Sequence, residues 1–195
     1  MAVAAVAAGD HARVLVVDDV GFDAAAALLT RHGLELAPVA AGAPIPGSYW
    51  GEPEAGLVAG RVFARGDTPL HSLLHEACHV LVADPARRAA IHTDASDSQA
   101  EEDAACYLQI LLADELEGVG AARLMADMDA WGYTFRLGSA HAWFERDAAD
   151  AAAWLAARGL LPALPGPAGV RPDTCAGADN RRPMGPAATK SHEDR

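Results

Sequence analysis

Lysine is almost missing from this chain: fourteen of its fifteen basic residues are Arg, and Lys190 is the exception. No basic run could neutralise several phosphates in succession, and 27 acidic residues leave a formal charge of −12. Duplex nucleic acid and anionic membranes are therefore not expected as partners. Cysteine is scarce too. Cys78, Cys106 and Cys175 form an odd set at irregular spacing, which suits reduced thiols better than a disulfide framework. Nowhere do about 18 apolar residues run together, and the apolar start of the chain lacks the positive flank and the length of an export signal. A soluble, cytoplasmic protein is expected.

What is abundant is alanine. It supplies 46 of the 195 residues, so the 51% hydrophobic content overstates the core and favours helices, with large apolar side chains gathered in a few segments. Residues 13–20 (RVLVVDDV) predict a short buried strand, because Val14, Leu15, Val16 and Val17 run together ahead of two carboxylates. This stretch resembles the opening of a receiver domain, but the acceptor aspartate and the lysine of that family are missing. A helix follows, with Phe22, Ala25, Leu28 and Leu29 at helical spacing and Gly33 as its stop. Residues 37–53 carry Pro38, Pro44, Pro46 and Pro53 and read as loop or sheet edge. Residues 56–65 alternate enough for one or two strands.

Thr68 as N-cap and Pro69 as first helical residue open a helix running through Leu73, Leu74, Ala77, Val80 and Leu81 to Asp84-Pro85. After a polar loop of about a dozen residues, a second long helix spans roughly Ser98–Leu116. Its apolar stripe is Ala104, Ala105, Leu108, Leu111 and Leu112. Residues 121–131 and 141–158 read as further amphipathic helices. From Pro162 onward the chain holds six of its twelve prolines and predicts a flexible tail, 162–195, after a single domain, 1–161.

The first long helix carries His75-Glu76-Ala77-Cys78-His79, an H-E-x-x-H sequence. At four-residue spacing both imidazoles lie on one helix face, about one turn apart, and can reach one ion. Glu76 sits about 100° round the axis, where it can hydrogen-bond a water on that ion as general base. With 8 His and 10 Glu, chance alone gives this pattern in about one such chain in sixty.

Zinc needs a third protein ligand, and the extended form ending in a third histidine is excluded by Val82 and Pro85. His92, Asp94, Asp97, Glu101, Glu102 and Asp103 are candidates. A carboxylate on a rigid helix is preferable to a loop residue, which leaves Glu101 and Glu102 foremost. Glu101 shares the apolar stripe, whereas Glu102 lies in line with Cys106 and Gln109 and is expected to lean toward solvent. Helical geometry favours Glu101, with Glu102 the alternative.

These residues give the chain a resemblance to the gluzincin metallopeptidases, closest to the compact ImmA/IrrE-like group. In that group H-E-x-x-H is followed, after a loop, by a helix of the form E-x-E-A-x-x-F-A-x-x-L-L. Here the second motif reads Glu101-Glu102-Asp103-Ala104-Ala105-Cys106-Tyr107-Leu108-Gln109-Ile110-Leu111-Leu112. Asp103 replaces the second Glu, Tyr107 the aromatic position and Leu108 the small one. The resemblance covers residues 75–112 and implies zinc on His75, His79 and Glu101, with Glu76 as catalytic base. It also implies a peptide or protein substrate and a regulatory protein partner.

The expectation is thus an α+β, zincin-like domain with a small N-terminal sheet over the H-E-x-x-H helix and a helical C-terminal part. Its function would be zinc-dependent peptide hydrolysis by a metal-activated water. The alternative is a non-catalytic module of the same fold, a sensor or interaction domain with structural metal or none. His141, Tyr133, Tyr107 and Arg136 are candidate oxyanion donors by chemistry alone, and a strand over Leu57–Phe63 could pair with an extended substrate. His71 is a possible supporting group. Cys78 is expected to pack as a small hydrophobe, and Trp131, Trp143 and Trp154 as core, while Trp50 could line a cleft.

Overall fold

The computed structural model describes residues 13–161 except 50, 52, 94, 95 and 97. Trp50, Asp94, Asp97 and the predicted tail therefore lie outside the described residues. Eight helices and a three-stranded sheet make a mixed α+β arrangement among them. No helix in that range is long and apolar enough to cross a membrane.

Where a strand is predicted, the chain instead forms a single helical turn, α1 (Val17–Val20). The acidic pair decides this: the Asp19 carboxylate accepts the Val16 N–H at 2.8 Å and caps the turn, leaving Val16 one isolated bridge to Pro69. Helix α2 (Phe22–Arg31) follows and ends at His32, with Gly33 at φ +76 as the predicted stop.

The sheet is built from β1 (Leu36–Pro38), β2 (Gly56–Val58) and β3 (Arg61–Ala64), in the order β1-β3-β2. β1 runs parallel to the central β3 and β2 antiparallel to it, so the proline-bearing strand sits at an edge. Ala59 at φ 52 and Gly60 at φ 73 form the two-residue turn between β2 and β3. The outer side of β2 is not free for a substrate strand, because Ala59 N–H bonds to Ile91 O at 2.8 Å and Thr93 N–H to Leu57 O at 3.0 Å.

Against this sheet lies α3 (Leu70–Val82), buried along nearly its whole length. It begins one residue later than predicted. Pro69 takes the capping position, while Thr68 Oγ1 accepts the Arg65 N–H at 3.0 Å and closes the preceding turn. The expected loop after α3 contains a short helix, α4 (Pro85–Arg88), capped by the Asp84 carboxylate on Ala86 N–H at 2.8 Å. Helix α5 (Gln99–Ala113) starts at the predicted Ser98 cap and packs along α3.

Helix α6 (Gly120–Trp131) covers both of them, and the predicted last helix is two, α7 (Ala140–Arg146) and α8 (Ala149–Ala157). They break at Asp147, which leaves helical geometry and is gripped by Arg136 through both carboxylate oxygens. Leu70, Leu73, Leu74, Ile110, Leu124 and Met128 are fully enclosed where α3, α5 and α6 meet.

Candidate metal centre

α3 holds its histidines on successive turns, and Ser98, by capping α5, fixes the start of the helix that faces them. His75 Nε2 and His79 Nε2 lie 3.0 Å apart. Glu102 places Oε1 3.2 Å from the first and Oε2 3.7 Å from the second. A tetrahedral ion with ligand bonds of about 2.0–2.1 Å has ligand–ligand edges of about 3.3 Å, a value these separations bracket. Among the described residues His75, His79 and Glu102 form a group able to hold a metal ion.

Proton bookkeeping gives the same answer. Gln109 donates its amide N–H to Met128 Sδ at 3.0 Å and so turns Oε1 to His75 Nδ1, 3.1 Å away. That nitrogen must donate, which leaves the lone pair of a neutral His75 on Nε2. Ser96 gives its one proton to Glu102 Oε2 at 2.7 Å, so its Oγ accepts from His79 Nδ1 at 3.2 Å. The His79 lone pair is then also on Nε2. Two lone pairs and a carboxylate converge on one point, an arrangement that calls for a cation, with each outer imidazole nitrogen fixed by a polar partner as in metal sites generally.

The electrostatics of the bare cluster express the same demand. Burial disfavours charge on His75, but Tyr133, Glu102 and Cys106 outweigh it and hold its pKa well above the usual imidazole value. Burial pushes the Glu102 carboxyl up, yet His75 and His79 draw it far below the carboxylate range. His79 stays neutral, lowered to about 3 by burial and by His75.

Glu76 flanks the cluster. Burial pushes its carboxyl up to about 8, with Glu102 and Glu54 adding to the rise and His75 opposing it. Its Oε2 is buried without a hydrogen-bond partner among the described residues. A cation beside it would favour the ionised form.

The structure brings Glu102, not the favoured Glu101, to the histidines. Glu101 is buried but turned to the Arg87 guanidinium on α4. The reason is that the Glu102–Cys106–Gln109 line does not lean to solvent: Cys106 and Gln109 are both buried, and this line is the one facing His75. The histidines sit on the flank of the apolar stripe rather than over its centre. Polar Gln109 hid this in the sequence, although its spacing from Glu102 was the available signal.

Other candidates fall elsewhere. Asp103 accepts from Gln99 at 2.8 Å, and His92 and His141 are exposed. Arg136 is held by Asp147, and Tyr107 stacks on Phe144 with centroids 4.7 Å apart. Tyr133 lies edge-on to His75, and His71 is enclosed beside it. Cys78 is buried in the core as a small hydrophobe, its thiol pushed up by burial, and Trp143 is buried while Trp131 and Trp154 are partly so. Ser96, which orients His79 as Gln109 orients His75, had no prior sign in the sequence. No protein-family model matches the chain, and no curated protein or solved structure matches it.

Proposed function

We propose that this protein is a zinc-dependent peptide hydrolase of the zincin type, laid out as in the ImmA/IrrE-like gluzincins, with His75, His79 and Glu102 as ligands and Glu76 as general base. The observation that carries the reading is the buried Glu76 Oε2, without a hydrogen-bond partner among the described residues, beside a three-donor group whose separations suit a tetrahedral ion. Three ligands are the number used by catalytic rather than closed structural zinc sites. Zinc held there would act as a Lewis acid and lower the pKa of water to about 7.

In this reading Glu76 takes a proton from the attacking water and returns it to the leaving amine. Gln109 and Ser96 keep both histidines in the ligating tautomer. A purely structural site has no use for a carboxylic acid there, and Glu76 thus supports the hydrolase over a sensor or interaction module.

The test is metal analysis of purified protein with cleavage of a quenched fluorogenic peptide library by wild type and Glu76→Gln. One zinc per chain in both, with turnover lowered by several orders of magnitude in the variant, is expected. Equal turnover in Glu76→Gln refutes the mechanism.

A further inference from the structure

A cavity of about 380 Å³ opens where the first turns of α5, the connection between α6 and α7, and the joint between α7 and α8 come together. Its volume falls in the range of small-ligand sites, and no step of the hydrolysis above uses it. Two of its walls lead to the metal group. Asp103 follows Glu102 on α5, about 100° further round the axis, so the cavity begins one residue beyond the proposed ligand. On the other side the Phe135 ring stacks on Tyr133 with centroids 6.3 Å apart, and Tyr133 meets His75 edge-on at 5.9 Å. A single ring thus separates the cavity wall from the histidine helix. At about 3.3–3.6 Å per extended residue, a long side chain carried one or two residues from the scissile bond covers that span.

The lining selects by charge. Three carboxylates, Asp103, Asp147 and Asp150, share the cavity with one cationic side chain, Arg136. Arg136 is committed to Asp147, whose two oxygens it grips. Asp103 accepts from the neutral amide of Gln99 at 2.8 Å, which leaves its charge in place. Asp150, in the first turn of α8, has neither a hydrogen bond nor an ion pair among the described residues. Two negative charges therefore border one cavity without a counter-ion from its lining. The wall beside them is aromatic and fixed, because Phe135 stacks on the buried Trp143 at 5.0 Å. Such a ring packs the methylene stem of a long basic side chain, and its face attracts the cation at the end. Carboxylates alone would serve any solvated cation, whereas carboxylates next to a fixed ring suit a charge carried on an apolar stem.

We infer that this cavity is the specificity subsite of the proposed peptidase and takes an Arg or Lys side chain of the substrate, with Asp103 and Asp150 as counter-charges and Phe135 as the wall along its stem. The inference rests on the hydrolase reading above. It names the substrate class as peptides with a basic residue close to the cleaved bond. The formal charge of −12 acts in the same direction, since it draws a cationic peptide toward the protein and repels an acidic one.

The test uses zinc-loaded protein and matched quenched fluorogenic peptides that carry Arg, its neutral near-isostere citrulline, or Glu at each position around the best-cleaved bond. At one position Arg should exceed citrulline by about tenfold in kcat/KM, with Glu below both. Asp150→Asn should lower that ratio about three- to fivefold, the size of one solvent-facing ion pair. Asp150 is exposed, so this variant reads the cavity without disturbing α5. Asp103→Asn combined with Asp150→Asn should bring the ratio near one. Asp23→Asn combined with Glu117→Gln removes two charges from the exposed surface elsewhere and should keep the wild-type ratio, which separates the cavity from the general field. No preference for Arg at any position overturns the subsite and leaves hydrolysis standing. So does a preference that survives loss of both Asp103 and Asp150, or one that the Asp23 and Glu117 changes erode equally. A zinc-loaded wild type that cleaves none of the peptides overturns both readings.

Discussion

Gln109 decides which nitrogen of His75 faces the cluster, and it does so from a fully buried position with its own amide anchored on Met128. Replacing it by Leu leaves His75 Nδ1–H without an acceptor and frees the tautomer. Zinc affinity should then fall by roughly 10–100-fold, read by competition with a chromophoric chelator, while Gln109→Glu, which keeps an acceptor, should retain most of it. The same residue shows why the third member of the cluster was only half legible. Residues 75, 76 and 79 declare themselves by spacing and type. Choosing between Glu101 and Glu102 needed the knowledge that a glutamine was buried, and a helical wheel ranks glutamine as solvent-facing.

His71 makes a second argument at this scale. Both of its ring nitrogens are buried without partners among the described residues, and burial, with His75 adding to it, lowers its pKa from 6.5 to about 3. Between those values the unfolded chain holds the proton that the folded chain refuses. The stability tied to neutral His71 is therefore whole above pH 6.5 and is lost as pH falls toward 3, by up to about 1.4 kcal/mol per unit. In urea titrations of chelator-treated protein, wild type should lose about 2 kcal/mol more than His71→Leu between pH 6.5 and pH 5. Parallel losses in the two proteins would mean that His71 is not the group responsible.

At the next scale, the first turn of α5 links fold to site, since it carries both Glu101 and Glu102 and hangs on the Ser98 cap, whose Oγ accepts the Glu101 N–H at 3.3 Å. Ser98→Ala should cost about 1 kcal/mol in thermal or urea unfolding. Because the frayed turn holds a proposed ligand, zinc affinity should drop as well, whereas the equivalent Ser139→Ala at α7 should cost stability alone. Elements of this sort were readable: α2, α3, α5 and α6 combine apolar periodicity with Ser, Pro or Gly at their ends, and their ends fall within a few residues of expectation. The N-terminal segment was not readable, because four consecutive apolar residues carry no period and a capping aspartate three residues on outweighs their strand preference. The break at Asp147 was hidden for a related reason, since it answers to Arg136, eleven residues away in sequence.

For the whole molecule, the question is whether the cation holds the fold or the fold holds the cation. α3 and α5 carry the candidate ligands, yet they are already joined through Leu70, Leu73, Leu74 and Ile110, all enclosed without help from the cluster. Each such side chain contributes about 1.5–3 kcal/mol by burial. The cluster lies at the margin of that contact, and an ion there adds only its binding free energy, about 4 kcal/mol at a thousandfold excess over Kd. Chelation should therefore abolish peptide cleavage while far-ultraviolet circular dichroism keeps its helical form. Unfolding should stay cooperative at a lower Tm, and that Tm should climb with the logarithm of added zinc. A closed structural site behaves in the opposite order, because there the metal supplies the folding energy itself and the chain unravels when it is stripped. Loss of helical signal in step with loss of zinc would thus assign the ion to the scaffold and remove the reason for Glu76 to stand beside it.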